Sequence, residues 1–370
     1  MSTFERSILP GCRLQLEIFG TSHGPEIGMS LSGLPAGEAV DTEALQRFLD
    51  RRRPGAGPVS TARREGDRPL FRAGLKDGRS TGEAIRAVIE NTDMRSRDYA
   101  RLADLPRPGH ADYPAWVKWG GKQDMRGGGP FSGRLTAPLC IAGGIALQLL
   151  QRRGITVGAH VLEAGSVKDE VFPLLPDAET LLAPGRKALP VCSDAAGSAM
   201  QAAVAAAARE GDSVGGIVEC AAIGLPVGLG GPLFDGLEGR LSLALFGIPG
   251  VKGVEFGAGF AAAGLRGSEH NDPYYVEADG SIRTRSNHSG GILGGMSSGM
   301  PLTFRAAFKP TPSIARAQET VRLSSMQGET LEIQGRHDPC IVFRAVAAVE
   351  AAAALVLLDL ILEQEEASWT

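Results

Sequence analysis

The segment from Ala345 to Leu362, AVAAVEAAAALVLLDLIL, is built of strong helix formers and offers no polar face. A helix that is apolar on every side has to be covered on every side. Its uncharged run, Ala351 to Leu358, is far shorter than the roughly 20 residues of a membrane span, and Glu350 and Asp359 bracket it, so it reads as a buried core helix. Thr136 to Leu150 and Ala195 to Ala208 have the same character, and the three segments together predict an internal helical layer.

Strand patterns surround these segments. Leu14, Leu16 and Ile18 alternate with Arg13, Gln15 and Glu17; Ile27, Met29 and Leu31 repeat the period of two, across the loop Gly20 to Gly24. Ile217 to Glu219 and Leu302 to Ala306 read the same way. Between them, Leu45, Phe48 and Leu49 keep helical spacing, with Asp41 as N-cap and Pro54-Gly55 as the stop. Helices inside and sheets outside is the simplest layered solution, an α+β fold.

The length, 370 residues, suits two or three domains or one large one. An internal echo favours one pseudo-symmetric domain over 1–370, with related halves at about 10–190 and 191–365. Gly33-Leu34-Pro35-Ala36-Gly37 precedes a helical pattern ending at Pro54-Gly55, and Gly224-Leu225-Pro226-Val227-Gly228 precedes one ending at Pro249-Gly250. GLPxG is also a common turn.

Lys and Arg number 38 against 42 Asp and Glu, a net charge of −4, which argues against a general nucleic-acid or membrane-surface protein. Fifty glycines without a three-residue period indicate backbone packed closely on backbone or ligand rather than collagen. The five cysteines are scattered, contain no CxxC and point to a reducing cytoplasm, and no signal sequence is visible. No HExxH, zinc-finger or EF-hand spacing occurs, so no metal is expected. The glycine loops at 126–129, 211–216 and 290–296 lack Walker and GxGxxG order but can cradle phosphate or flank a flat ring.

His23 in GTSHG and His110 in RPGHADY stand on glycine-flanked loops, suited to proton transfer near neutral pH. Each, taken singly, also fits a turn-capping residue. His160 reads as structural. Asp338, in GRHDPC before the last helix, fits a base or an N-cap. Arg51, Arg52, Arg53, Arg63, Arg64 and Arg68 suit a small polyanion, and equally a solvated face.

These residues occur within a longer series: GTSHG (20–24), RRRPG (51–55), RPGHADY (107–113), RGGG (126–129), GDSVGG (211–216), VKGVEFG (251–257), NHSGGILGGMSSG (287–299), FKPTPSI (308–314) and GRHDPC (335–340). In this order, over nearly the whole chain, they resemble the chorismate synthase family. The resemblance implies a lyase that converts 5-enolpyruvylshikimate 3-phosphate to chorismate and phosphate in the shikimate pathway, by anti-1,4 elimination. It implies a buried helical layer sandwiched between two antiparallel sheets, a homotetramer, and reduced FMN, with NADPH or an external flavin reductase as its source of electrons. Carried onto this chain, the catalytic residues are His23, His110 and Asp338, and the substrate residues are Ser22, Arg52, Ser132, Arg134 and Arg336. The cofactor residues are Pro130, Phe131, Ser132, Pro249, Gly250, Gly294, Lys309, Pro310, Thr311, Pro312, Ser313 and Arg336, with Arg52 toward NADPH. The chain departs from the family's common pattern at Pro58, Pro130, Phe131, Gly133 and Leu135. The alternative is a flavin or polyanion binding protein on the same fold that has lost turnover.

Overall fold

The structure, a computed structural model, describes residues 6–53, 66–91, 104–122, 124, 126–333 and 338–367. An antiparallel meander of β1 (Arg6–Leu9), β2 (Gln15–Gly20) and β3 (Glu26–Ser32) leads into α1 (Thr42–Arg52). Asp41 caps α1, its carboxylate accepting the Glu43 and Ala44 amides. Then come β4 (Leu70–Ala73), a small hairpin of β5 (Leu75–Lys76) and β6 (Arg79–Ser80), and β7 (Ile85–Glu90). β7 inserts beside β3, so the first sheet has the order β1-β2-β3-β7-β4, antiparallel throughout.

After α2 (Asp112–Trp119) and α3 (Thr136–Arg152) the chain lays down β8 (Thr156–Ala164), β9 (Val167–Lys168), α4 (Ala178–Leu182), α5 (Asp194–Arg209) and β10 (Gly216–Ile223). It continues with α6 (Leu237–Phe246), β11 (Val251–Phe256), α7 (Gly267–His270) and two hairpins, β12 (Tyr274–Val276) with β13 (Ile282–Thr284) and β14 (Ile292–Leu293) with β15 (Met296–Ser297). β16 (Leu302–Phe308), a hairpin of β17 (Gln318–Arg322) and β18 (Gln327–Leu331), and α8 (Val342–Ala367) complete it. The second sheet, β11-β16-β10-β8-β9, is also antiparallel.

The layers follow from the apolar helices. α3 packs on β3 and β7, α8 packs on β8 and β10, and α3 and α8 pack on each other, which makes a sheet–helix–helix–sheet sandwich. By length and composition α8 could cross a bilayer, but its most apolar stretch is wholly buried within the protein, as in a core helix. Glycine sets the helix spacing. A Cβ on Gly143 would lie 2.3 Å from that of Ala351 on α8, and one on Gly144 would lie 2.5 Å from a Leu45 methyl of α1.

The two acidic residues of α8 act as internal clamps. Asp359 accepts the amides of Cys12, Arg13 and Leu14 at 2.6–2.9 Å, fixing the turn between β1 and β2. Glu350 takes both terminal nitrogens of Arg51 at 2.7 Å and the Ala159 amide of β8 at 3.0 Å. Burying these carboxylates is tolerable because each is fully hydrogen-bonded.

One expectation is corrected. α5 is not buried on all sides: Gly197, Met200 and Val204 face the protein while many of its alanines are exposed or half-buried. Alanine is small and a strong helix former, so an alanine-rich helix is compatible with a surface position where a leucine-rich one is not.

The GLPxG segments build the same corner in each sheet. Ser80 Oγ donates to Pro35 O and accepts the Glu38 amide; Ser297 Oγ donates to Pro226 O and accepts the Leu229 amide, and the bonded corner positions 35/226 and 38/229 keep the offset of 191 residues while each serine comes from a later hairpin. Gly33 (φ +93°) and Gly224 (φ +81°) admit no side chain, since a Cβ would fall 1.7 Å from Arg13 O and 2.2 Å from Gly154 O.

Replacing Gly143 with Ala supplies about 1 kcal/mol of helix propensity. It also forces α3 off α8, at about 1–3 kcal/mol for overpacking. Gly143→Ala is expected to lower the denaturant midpoint; an unchanged or raised midpoint would show that the helix contact is slack.

Candidate active site

Local backbone chemistry positions the first histidine. Gly20 (φ +97°) turns the chain at the end of β2, leaving Thr21, Ser22 and His23 buried at the sheet end. Asn91, just beyond β7, donates its side-chain amide to Thr21 O and Gly24 O and holds this loop. Ser22 Oγ donates to Arg126 O at 3.1 Å and lies 3.2 Å from His23 Nδ1. A hydroxyl has one proton, so here His23 carries its proton on Nδ1 and donates to Ser22.

The Arg126–Gly129 loop then joins the two histidines. A Cβ on Gly127 (φ +61°) would lie 2.1 Å from the His23 ring, and one on Gly128 (φ +100°) would lie 3.4 Å from His110 Nε2. Adjacent Cα atoms are about 3.8 Å apart, so this bare ridge brings both imidazoles to one place. His110 is oriented from behind: its Nδ1 lies 2.6 Å from Asp112 Oδ1, and Asp112 also accepts Arg107 Nε at 2.7 Å and Nη2 at 2.8 Å. Burial opposes ionisation of Asp112, but the bonds from Arg107 and His110 outweigh it and hold the carboxyl far below its usual range. The anion fixes the Nδ1–H tautomer of His110 and turns Nε2 toward Gly128.

Between these loops lies a buried charge cluster. Asp67 makes ion pairs with Arg134 and, at 3.4 Å, with Arg52. Arg134 Nε donates to Asn91 Oδ1, and Arg344 donates to Arg52 O and to Asp338 Oδ2, the latter at 2.6 Å. Thr311 Oγ1 donates to Asp338 O. The Lys309–Ser313 segment closes on the His110 loop through Lys309 Nζ to Gly109 O and Arg107 Nη1 to Ser313 Oγ. Hydrogen bonds, close approaches and short runs of chain join these groups in a ring: Thr21, Asn91, Arg134, Asp67, Arg52, Arg344, Asp338, Thr311, Ser313, Arg107, His110, Gly128, Gly127 and His23.

The arginine run is divided three ways. Arg51 is taken by Glu350, Arg53 is exposed beside Asp50, and Arg52 is 2% exposed. Arg52 Nε and Nη1 have no hydrogen-bond partner among the described residues. Burial lowers the Arg52 guanidinium to about 10, with Arg344 and Arg134 acting in the same sense and Asp67 opposing. It is charged at neutral pH and short of partners.

Of the remaining expected positions, Ser132 accepts the Arg134 amide, Phe131 stacks on Trp119 at 5.8 Å, and Pro130 lies between Gly129 and Phe131. Gly250, next to Pro249, accepts the Lys309 amide, and Pro312 touches Gly109. Pro310 packs near Gly215. Gly294 sits apart, at the turn of the β14–β15 hairpin, whose next residue packs on Gly231 and Gly236. Arg336, with Arg63, Arg64, His337 and Pro58, lies outside the described residues. An apolar hollow lined by Leu9, Leu14, Leu243 and Val356 is separate and holds none of these groups.

Sequence reasoning missed Asp67, Asn91, Arg107, Asp112 and Arg344. Arg107 and Asp112 stood together in the quoted motif RPGHADY, and Asp67, Asn91 and Arg344 have partners in distant segments.

Comparison with known proteins gives the family. The family model described as chorismate synthase matches residues 14–362. The chain belongs to the chorismate synthase family, lyases of the shikimate pathway. It is 46% identical over 361 residues to the chorismate synthase of Lancefieldella parvula, covering 94% of each chain. It is 47% identical over 355 residues to that of Thermococcus kodakarensis, covering 96% of this chain and 97% of the relative. A crystal structure of chorismate synthase superposes with a TM-score of 0.76 at 26% identity, over 96% of this chain and 93% of the other.

Asp112→Asn should release His110 from its tautomer. The Nδ1 proton resonance of His110, held by a short bond to a carboxylate, is expected to disappear from the imidazole NMR spectrum while the fold is kept. An unchanged resonance would mean that Asp112 does not orient the ring.

Proposed function

We propose that this chain performs the reaction of its family, converting 5-enolpyruvylshikimate 3-phosphate to chorismate and phosphate by anti-1,4 elimination, with reduced FMN bound beside His110. The observation that carries the reading is the buried, partner-poor Arg52 in a cluster where Arg52, Arg134 and Arg344 face Asp67 and Asp338. Among the described residues three guanidinium groups stand against two carboxylates, a cationic excess, and the buried Arg52 nitrogens without a partner there call for an anion. A substrate with two carboxylates and a phosphate meets that demand. The runner-up, a binding protein without turnover, explains the cations but not two oriented imidazoles on one glycine ridge.

The residues also fit a flavin. Gly127 and Gly128 leave a bare backbone between the imidazoles, Phe131 offers a partly exposed ring, and Lys309 to Ser313 supply a cation and hydroxyls next to His110. Reduced flavin would supply electron density while the C–O bond to phosphate breaks and would recover it as the C–H bond breaks, so the reaction is redox-neutral.

The protein's own tasks follow from the hydrogen bonds. Arg52 and Arg134 bind substrate anions in fork geometry, with Asp67 setting the two guanidinium planes. His23, donating Nδ1–H to Ser22, protonates the leaving phosphate from Nε2 when it carries a proton on both ring nitrogens, as the imidazolium. His110, fixed by Asp112, presents Nε2 toward the flavin. Asp338, steered by Arg344, is the carboxylate placed to take up the proton lost from the ring carbon. Arg336 would add a substrate and flavin contact, and Arg52 is the residue on the NADPH side. The same reading makes the chain a cytoplasmic homotetramer of single domains with halves at about 10–190 and 191–365, supplied with electrons through NADPH or an external reductase.

Phosphate release from the substrate is expected with reduced FMN and not with oxidised FMN; equal rates would remove the flavin from the mechanism. His23→Ala and His110→Ala should each reduce turnover by roughly 10² or more with little change in melting temperature. Arg52→Lys retains the charge and loses the fork, so substrate affinity should fall on the order of tenfold. Wild-type affinity in that variant would make Arg52 a structural residue.

A further inference from the structure

A second cluster of reactive side chains lies outside the site. His160 stands on β8, on the face opposite Ala159 and Val161, which belong to the core between the sheets. That outer face is roofed by the segment from Asp169 to Cys192: Leu181 lies over Gly158, and Phe172 packs edge-on against the His160 ring at 4.5 Å. The imidazole is fully buried. Its Nε2 lies 3.0 Å from Glu219 Oε2, and that carboxylate oxygen also accepts the Phe172 amide at 2.7 Å. Its Nδ1 has no hydrogen-bond partner among the described residues, although it points at Asp169 Oδ2 3.4 Å away and Cys192 lies beside it. One ligand atom from each of His160, Asp169 and Cys192 falls within 4.8 Å of the others.

We propose that His160 Nδ1, Asp169 and the Cys192 thiolate form a divalent metal site selective for zinc. The ligand set is one imidazole, one carboxylate and one thiolate, a mixture that suits a borderline-soft ion. Metal bonds of about 2.0–2.1 Å at tetrahedral angles put neighbouring nitrogen and oxygen ligands roughly 3.3 Å apart, close to the observed Nδ1 to Oδ2 spacing. Glu219 supplies the usual support of a metal-bound histidine, a carboxylate on the other ring nitrogen that directs the lone pair of the first. Asp169 already accepts the amides of Cys192 and Ser193, so the backbone of the third ligand is held against the second. Cys192 is half-buried, which gives the ion a way in. Binding would tie the roof segment to β8 and β10, a structural site remote from the histidine ridge. Its three ligands are spread over 33 residues in no recognised spacing; only the fold gathers them.

The test uses untagged full-length protein stripped with a chelator. Zinc is titrated against a chromophoric competitor, and cobalt is added separately as a spectroscopic probe. One equivalent of zinc is expected to bind and raise the melting temperature, and cobalt should give the thiolate charge-transfer band of a tetrahedral site. Cys192→Ser, a near-isosteric change, should abolish that band and weaken zinc binding at least tenfold. Glu219→Gln, which leaves the ligands in place, should weaken it 10–100-fold. Phosphate release should be unaffected by stripping. Failure of the wild-type protein to bind zinc, a cobalt spectrum without the thiolate band, or unaltered affinity in Cys192→Ser would each overturn the proposal; His160 would then be a structural imidazole held through Nε2 by Glu219.

Discussion

Two helices that cannot face water determine the rest of this molecule. α3 and α8 are apolar around almost their whole circumference, and each therefore has a sheet on one side and the other helix on the other. Their contact is close because Gly143 meets Ala351 without an intervening side chain. The two carboxylates in this layer are committed: Glu350 and Asp359 place their oxygens on Arg51, on Ala159 and on the turn at Cys12 to Leu14. Thus the same carboxylates that interrupt the apolar run also register the sheets against the helices. Arg51 and Arg52, adjacent at the end of α1, show the division of labour, since one neutralises the core and the next opens toward the site.

The layer places the active-site loops at its edge. The β2–β3 loop brings His23, the start of α3 brings Arg134 after the glycine ridge, and the start of α8 brings Arg344 beside Asp338. The site is thus held by the ends of the most rigid elements, which suits groups that must keep hydrogen-bond geometry through a reaction. Arg107 and Asp112 extend this rigidity to a loop, fixing the ring of His110 from behind.

The fold was largely legible because helix burial and strand alternation are local properties of sequence. Ala345 to Leu362 announced a core helix, and Leu14 to Ile18 a half-buried strand. Ala195 to Ala208 misled because alanine tolerates both burial and exposure, and only the neighbours decide. In the site, His23, His110 and Asp338 could be nominated from their loops and from the family resemblance. Asp67 and Asn91 could not, because their significance lies in partners 67 and 43 residues away in Arg134. The histidine at 160 looked structural for the same reason: Asp169, Cys192 and Glu219 are not its neighbours in sequence.

That α8 follows every other described element in chain order bears on biosynthesis. The first sheet, α1 and α3 all emerge from the ribosome before the helix that covers them, so a nascent chain lacking its last segment exposes the apolar side of α3 and has neither Asp338 nor Arg344. Domains often fold as they are made, from the N-terminus onward. Here the core closes and the ring of contacts becomes complete only after α8 has been made. Until then the apolar faces of α3, β8 and β10 lack the helix they pack against, so a truncation that removes α8 forfeits the whole sandwich, not merely its final layer.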